Sequence, residues 1–210
     1  MEYQVDGEYP GGFSAGTAGF QPARLAPDGW HSRGYLPHLD RPGLVQMITF
    51  RVADAFHAPV RTNLNGVALA TAAGRRHAEA LLDHGHGSCP LRDHRIAGLV
   101  ESALLHFDAA RYHLLAWVVM PNHVHVLVET VPAHPLSAVV HAWKSFTANA
   151  ANKLLGRTGP FWWPEYFDRA MRGERHLDSA IRYIHANPVK AGLVTREEDW
   201  PFSSAAHFGS

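Results

Sequence analysis

Apolar and polar positions along the chain switch between two periods, and the switching predicts helices interleaved with strands. Val45-Gln46-Met47-Ile48-Thr49-Phe50-Arg51-Val52 has the composition of a strand. Ala68 to Asp83, rich in alanine, leucine and arginine, reads as a helix ended by Gly85. A second helix is expected from about Arg92 to Phe107, with Ile96, Leu99, Val100, Ala103 and Leu104 on one face. Two strands follow, Tyr112 to Met120 and His123 to Thr130, and the short Pro121-Asn122 join makes them an antiparallel hairpin. Leu136 to Leu155 reads as a helix closed by Gly156. The aromatic, proline-broken stretch Phe161 to Phe167 reads as a short strand or a packed loop. A last helix is expected from about Glu174 to Asn187, where Pro188 should stop it. No internal repeat is visible. The hairpin makes the sheet at least partly antiparallel, which favours an α+β fold.

Composition adds limits. The chain has 210 residues and a hydrophobic fraction of 46%, enough for one cored domain with extensions or two small ones. Glycines and prolines crowd residues 1 to 43, including Gly11-Gly12, Pro22, Pro27, Pro37 and Pro42-Gly43. This stretch reads as an extended arm, with ordered structure expected from Leu44 to the end at residue 210. The region Met1 to Phe20 has neither the basic start nor the apolar run of a signal peptide. Nothing approaches 18 uninterrupted apolar residues, so no membrane span is expected. Cys89 is the only cysteine, so no intramolecular disulfide forms and a reducing cytoplasm is the expected compartment. Formal net charge is zero and decides nothing about nucleic acid, because binding follows local patches.

Histidine is the unusual component, with 16 copies, and position has to separate chemistry from chance. In His123-Val124-His125-Val126-Leu127-Val128 alternation puts both imidazoles on one sheet face, with roots about 7 Å apart. The valines share the other face, which suits a buried core. Two imidazoles from one strand can hold a divalent cation if a third ligand arrives from elsewhere. Taken alone, they are better read as half-buried sheet residues with hydrogen bonds. His84-Gly85-His86 repeats the spacing, but in a glycine-rich loop with no fixed geometry.

The last helix adds a second group. Leu177, Ala180, Ile181 and Ile184 form an apolar stripe that should dock it on the sheet. Tyr183 and Asn187, four residues apart, share a neighbouring face. A phenol is a weak nucleophile near neutrality, since its reference pKa is about 10. A nearby cation offsets this by polarising phosphorus, and Asn187 can offer an amide oxygen as third ligand. Locally, both residues also fit a helix edge before a proline. Tyr166, beside Trp162, Trp163, Pro164 and Phe167, is a competing tyrosine that reads better as a packed aromatic or base-stacking residue.

Three segments together resemble a known family. Trp117-Val118-Val119-Met120-Pro121-Asn122-His123-Val124-His125 resembles the histidine–hydrophobic–histidine (HUH) motif of single-tyrosine, insertion-sequence-200-like transposases. Tyr183-Ile184-His185-Ala186-Asn187-Pro188-Val189-Lys190-Ala191-Gly192-Leu193 looks like their tyrosine helix and its exit. Trp200-Pro201-Phe202-Ser203-Ser204 resembles the segment that follows. Order and spacing fit the branch called REP-associated tyrosine transposases, over roughly Leu44 to Phe208. The resemblance implies a ferredoxin-like antiparallel sheet with helices on one face and a C-terminal tyrosine helix. It implies Mg2+ or Mn2+ held by His123, His125 and Asn187, with Tyr183 as nucleophile. Asn187 stands where related transposases often use glutamine. The implied substrate is single-stranded or hairpin DNA, cut through a 5′-phosphotyrosine intermediate that leaves a free 3′-hydroxyl. A bacterial, nucleoid-associated protein acting as monomer or homodimer is the corresponding expectation.

Between His141 and Arg196 stand nine basic residues (Lys144, Lys153, Arg157, Arg169, Arg172, Arg175, Arg182, Lys190, Arg196) against four acids (Glu165, Asp168, Glu174, Asp178). Lys144, Arg157, Arg169, Arg172, Arg182 and Lys190 are the candidate phosphate contacts, and Trp162 and Trp163 the candidate base-stacking residues. A solvated helix face with core aromatics accounts better for any one of them, and phosphate contact is a reading of the group. Three functions compete: DNA cleavage and strand transfer by Tyr183, hairpin binding by a domesticated, non-cleaving protein, and a water-activating metal nuclease.

Overall fold

The computed structural model describes residues 30–32, 37–56, 72–83 and 85–208. Residues 57–71, which include the start of the helix expected from Ala68, together with His84 and most of the 1–43 arm, lie outside the described residues. The strands are β1 Trp30–Ser32, β2 Pro37–Leu39, β3 Val45–Arg51, β4 Tyr112–Val119, β5 His123–Thr130 and β6 Phe167–Ala170. The α-helices are α1 Ala72–Asp83, α2 His94–Leu105, α3 Leu136–Leu154, α4 Glu174–Lys190 and α5 Ser204–Phe208. Among the described residues no helix is long and apolar enough to cross a membrane.

Four strands form one antiparallel sheet in the order β4-β5-β3-β6, while β1 and β2 pair as a separate small hairpin. With helices after the first and third of these strands, the topology is the ferredoxin-like βαββαβ arrangement of an α+β fold. Alternation builds two cores from one sheet. Ile48, Phe50, Trp117, Val119, Val124, Val126 and Val128 pack toward Ile96, Val100 and Leu104 of α2 and Val140 and Trp143 of α3. The opposite face carries Met47, Ala116, Val118 and Leu127, packed against Ala180 and Ile184 of α4. The tyrosine helix therefore has its own face of the sheet, the one to which His123 and His125 belong.

Local signals explain the elements. Asp93 caps α2 by accepting from the Arg95 amide at 3.0 Å. Pro135, at the start of α3, has no side chain to cap with. Asp40 does it instead, accepting from the amides of Leu136 at 2.8 Å and Ser137 at 3.1 Å. The hairpin turn is pinned from outside, since the Leu91 amide donates to the Pro121 carbonyl at 3.1 Å and Val52 to that of Asn122 at 2.9 Å.

Two expectations change. Packing begins upstream of Leu44: His38 and Asp40 are buried, and Gln46 Nε2 donates to the Leu39 carbonyl at 2.8 Å and to Asp168 at 3.2 Å. Second, Pro188 does not stop the last helix, which runs on to Lys190. Proline costs the bond to the Ile184 carbonyl, yet the backbone keeps its helical hydrogen bonding beyond that point. Ala191 still donates to the Asn187 carbonyl at 3.0 Å, and Gly192, at φ 68, closes the helix in the left-handed region. The segment after α4 covers the free edge of β4. Ser204 Oγ accepts from the Trp117 amide at 3.0 Å and donates to its carbonyl at 3.2 Å.

His38 is the tie between the N-terminal segment and the sheet. Burial opposes its charge, but hydrogen bonding to Asp168, at 2.5 Å from Nδ1, and to Glu165, at 3.4 Å from Nε2, raises its pKa to about 9. A raised folded-state pKa means stability that is full below the ordinary histidine value of about 6.5 and lost as pH rises through about 9. Urea midpoints of the full chain should therefore fall from pH 7 to pH 10 more steeply than those of His38→Gln. Parallel curves would remove the ionic tie.

Candidate metal and tyrosine site

The site starts from strand register. His125 lies opposite Thr49 and His123 opposite Arg51 across β5 and β3, so Thr49 shares the face of the histidines. Both imidazoles are fully buried. His123 Nδ1 lies 2.7 Å from Asn122 Oδ1, and Asn122 Nδ2 donates to the His86 carbonyl at 2.9 Å. That second bond orients the amide, so Asn122 offers oxygen to the ring and His123 Nδ1–H must be the donor. His123 Nε2 is left as a lone pair. His125 Nδ1 lies 2.8 Å from Thr49 Oγ1, and the two Nε2 atoms converge to 3.1 Å.

Burial, then the neighbouring His125, holds His123 well below the ordinary histidine range. Burial, then Arg169, brings His125 down to about 3. Both rings are neutral near pH 7. Two nitrogen lone pairs so close repel unless a proton or cation lies between them. Two donors at about 2.1 Å from one ion, at right angles, are about 3.0 Å apart, so the pair fits a shared divalent cation.

A third donor comes from the end of α1. Asp83 Oδ1 is 3.8 Å from His123 Nε2, and donor atoms of Asp83, His123 and His125 all lie within 4.8 Å of one another. Sequence reading missed Asp83. A signal was present, because a carboxylate in the last residue of a helix faces the negative end of the helix dipole, and a cation offsets that cost.

From the opposite side, α4 lays the Tyr183 ring against His125, with centroids 5.3 Å apart and planes at 72°. Asn187, one turn on, is fully buried, and neither Oδ1 nor Nδ2 has a hydrogen-bond partner among the described residues. Leaving such an amide unsatisfied costs about 1–3 kcal/mol, which a cation at Oδ1 would recover in part. Two neutral imidazoles and one carboxylate thus fit a divalent ion, and the helix that carries the unsatisfied Asn187 amide packs on the same sheet face.

The predicted DNA contacts divide. Trp162 is corrected: it is 5% exposed, and its Nε1 donates to Thr147 Oγ1 at 2.8 Å inside the core, so no base reaches it. Trp163 is half-buried with the Arg51 guanidinium 4.4 Å from its ring, which occupies one face. Lys144 and Arg157 are engaged in fixing the 157–164 loop. Lys144 Nζ donates to the carbonyls of Trp163 at 2.7 Å and Pro164 at 2.6 Å, and Arg157 Nε donates to Asn152 Oδ1 at 3.0 Å. Arg169, Arg172, Arg182 and Lys190 are exposed. Tyr166 is 4% exposed and stacked on His38 at 4.3 Å, which matches the packed-aromatic reading.

Residues 98–187 match the family described as Transposase IS200 like. The chain is 32% identical over 97 residues, 44% of its length, to the REP-associated tyrosine transposase of Escherichia coli (strain K12). It spans about half the length of that curated relative, 54%. Among solved structures, a REP-associated tyrosine transposase described as bound to a REP hairpin superposes with a TM-score of 0.54. Identity there is 20%, with 81% of each chain covered, so the likeness is one of fold.

The donor set makes a direct test by calorimetric titration of Mn2+ into the full chain without DNA. His123→Ala and His125→Ala should abolish binding, and Asp83→Asn and Thr49→Val should each weaken it by about tenfold or more. Undiminished affinity in Asp83→Asn would remove Asp83 from the ligand set.

Proposed function

We propose that this chain cleaves and rejoins single-stranded DNA beside a hairpin, as a metal-dependent tyrosine transposase. The observation that carries the reading is the packing of the Tyr183 phenol on His125, on the sheet face where the two imidazole Nε2 atoms converge. A nucleophile and a cation site are thereby adjacent without any nucleotide cofactor.

In this reading Tyr183 Oη attacks the scissile phosphorus in line and loses its proton. The bond from phosphorus to the 3′-oxygen breaks, and that oxygen leaves as a protonated 3′-hydroxyl. The 5′-phosphate stays on Tyr183 as a phosphodiester, so a second 3′-hydroxyl can reverse the exchange. A cation held by His123, His125, Asp83 and Asn187 would polarise the phosphoryl oxygens and offset the developing charge. The mixed nitrogen and oxygen donors suit Mn2+ better than Mg2+, which prefers oxygen. Asn122 holds His123 in the tautomer that presents Nε2, and the Thr49 hydroxyl, able to accept from Nδ1–H, allows the same at His125. The active unit is residues 44–210 with the segment from Pro37, acting as monomer or homodimer on hairpin DNA in a bacterial cytoplasm. The hairpin described on the similar solved structure supports that choice of substrate.

The test is a denaturing gel of labelled hairpin oligonucleotide with Mn2+. The wild-type chain should give a slow covalent band, and Tyr183→Phe should lose it while binding DNA within about threefold of wild type. A band that persists in Tyr183→Phe would reject the nucleophile. Cut DNA with no attached protein would point to water as the attacking group.

A further inference from the structure

Helix α4 outruns Pro188 by two residues, and this has a chemical consequence. Lys190 stands seven residues beyond Tyr183, two turns along, and so returns to the same side of the helix. Its Nζ lies 4.8 Å from the centroid of the Tyr183 ring. A helix ending at Asn187 would not place it there. On the other side of the ring pair, Arg169 of β6 lies opposite Met47 of β3, and its Nη2 approaches Met47 Sδ at 3.6 Å. Met47 and Thr49 share the face of His125, so Arg169 reaches over the same surface, and its charge is felt at His125.

Both cations are exposed, and neither is paired with a carboxylate among the described residues. That sets them apart from Lys144 and Arg157, whose donors are engaged in holding a loop. A phosphate is the ligand that an exposed ammonium beside the phenol and an exposed guanidinium over the His125 side of the sheet would take: the guanidinium offers a planar fork, the ammonium a point charge.

We propose that Arg169 and Lys190 form a two-sided seat for a single DNA phosphate at Tyr183. The seat rests on the reading of Tyr183 as nucleophile and deepens it, because it assigns the phosphate that stays beside the phenol to two named side chains. The remaining exposed cations, Arg172 and Arg182, then contribute only distributed attraction.

The test is a binding map in the full-length Tyr183→Phe chain, which holds DNA without transferring it. Hairpin oligonucleotides with a single-stranded flank carry one neutral methylphosphonate each, moved one position at a time. One position should weaken binding about tenfold, the loss expected for a charge-assisted phosphate contact of about 1.4 kcal/mol. Adding Lys190→Met or Arg169→Gln should cut the penalty at that position to under twofold and leave the others unchanged. Lys190→Arg should keep it. Uniform weakening at every position, or a penalty that survives both substitutions, overturns the seat. The map reads independently of cleavage: a wild-type chain that forms no covalent adduct would reject the transfer chemistry and leave the phosphate assignment standing.

Discussion

Two imidazoles that would rather be hydrated are held dry, neutral and nose to nose by the register of two central strands. Everything at the site follows from that constraint. Burial keeps both rings from taking a proton, and Asn122 and Thr49 occupy the Nδ1 positions, so the only free chemistry points inward at Nε2. A buried lone pair with no proton is a cost in any fold. The cost turns into affinity when a cation arrives, because the ion takes the place between the two nitrogens that only a shared proton could otherwise fill. The rest of the molecule holds that arrangement: the valines on the reverse of β5 anchor the strand in the larger core, and amides of Val52 and Leu91 fix its entry turn.

The second dependence is on which face each helix takes. Because α2 and α3 fill one side of the sheet, α4 and the segment after it cover the histidine side among the described residues, and the apolar stripe of α4 sets how close Tyr183 comes. Ala180 and Ile184 seat the helix on Met47, Ala116, Val118 and Leu127, which brings the ring to His125. The segment through Ser204 then bonds to the backbone of β4, and the Ser204 hydroxyl also meets His185 Nε2 at 2.8 Å, tying the helix to the sheet edge. Tyrosine position is thus a product of ordinary packing, with the chemistry added at its margin.

Much of this was legible in the sequence, for definite reasons. The alternation His-Val-His-Val-Leu-Val gave the shared face directly, and a stripe at helical spacing gave the docking side of α4. What escaped was long-range. Asp83 reaches the site from a helix forty residues before His123, and no local period connects the two. Asp40 serves as the cap of a helix nearly a hundred residues away, so a glycine- and proline-rich stretch looked detachable although part of it is packed. Pro188 misled because proline costs one ladder bond without forbidding the next turn, and the amides of Ala191 and Leu193 still reach the carbonyls of Asn187 and Pro188. Trp162 misled because aromatic composition does not distinguish a base-stacking surface from a core, and the partner that buries its indole N–H, Thr147, is on another element.

The central claim is that one cation sits between the two Nε2 atoms with the phenol beside it. Anomalous diffraction from crystals grown with Mn2+ tests this most directly. The account predicts one strong peak within coordination distance of His123 Nε2, His125 Nε2 and a carboxylate oxygen of Asp83, on the Tyr183 side of the sheet. A peak bound through Nδ1, or manganese found only at surface carboxylates with the imidazole pair left bare, would contradict it.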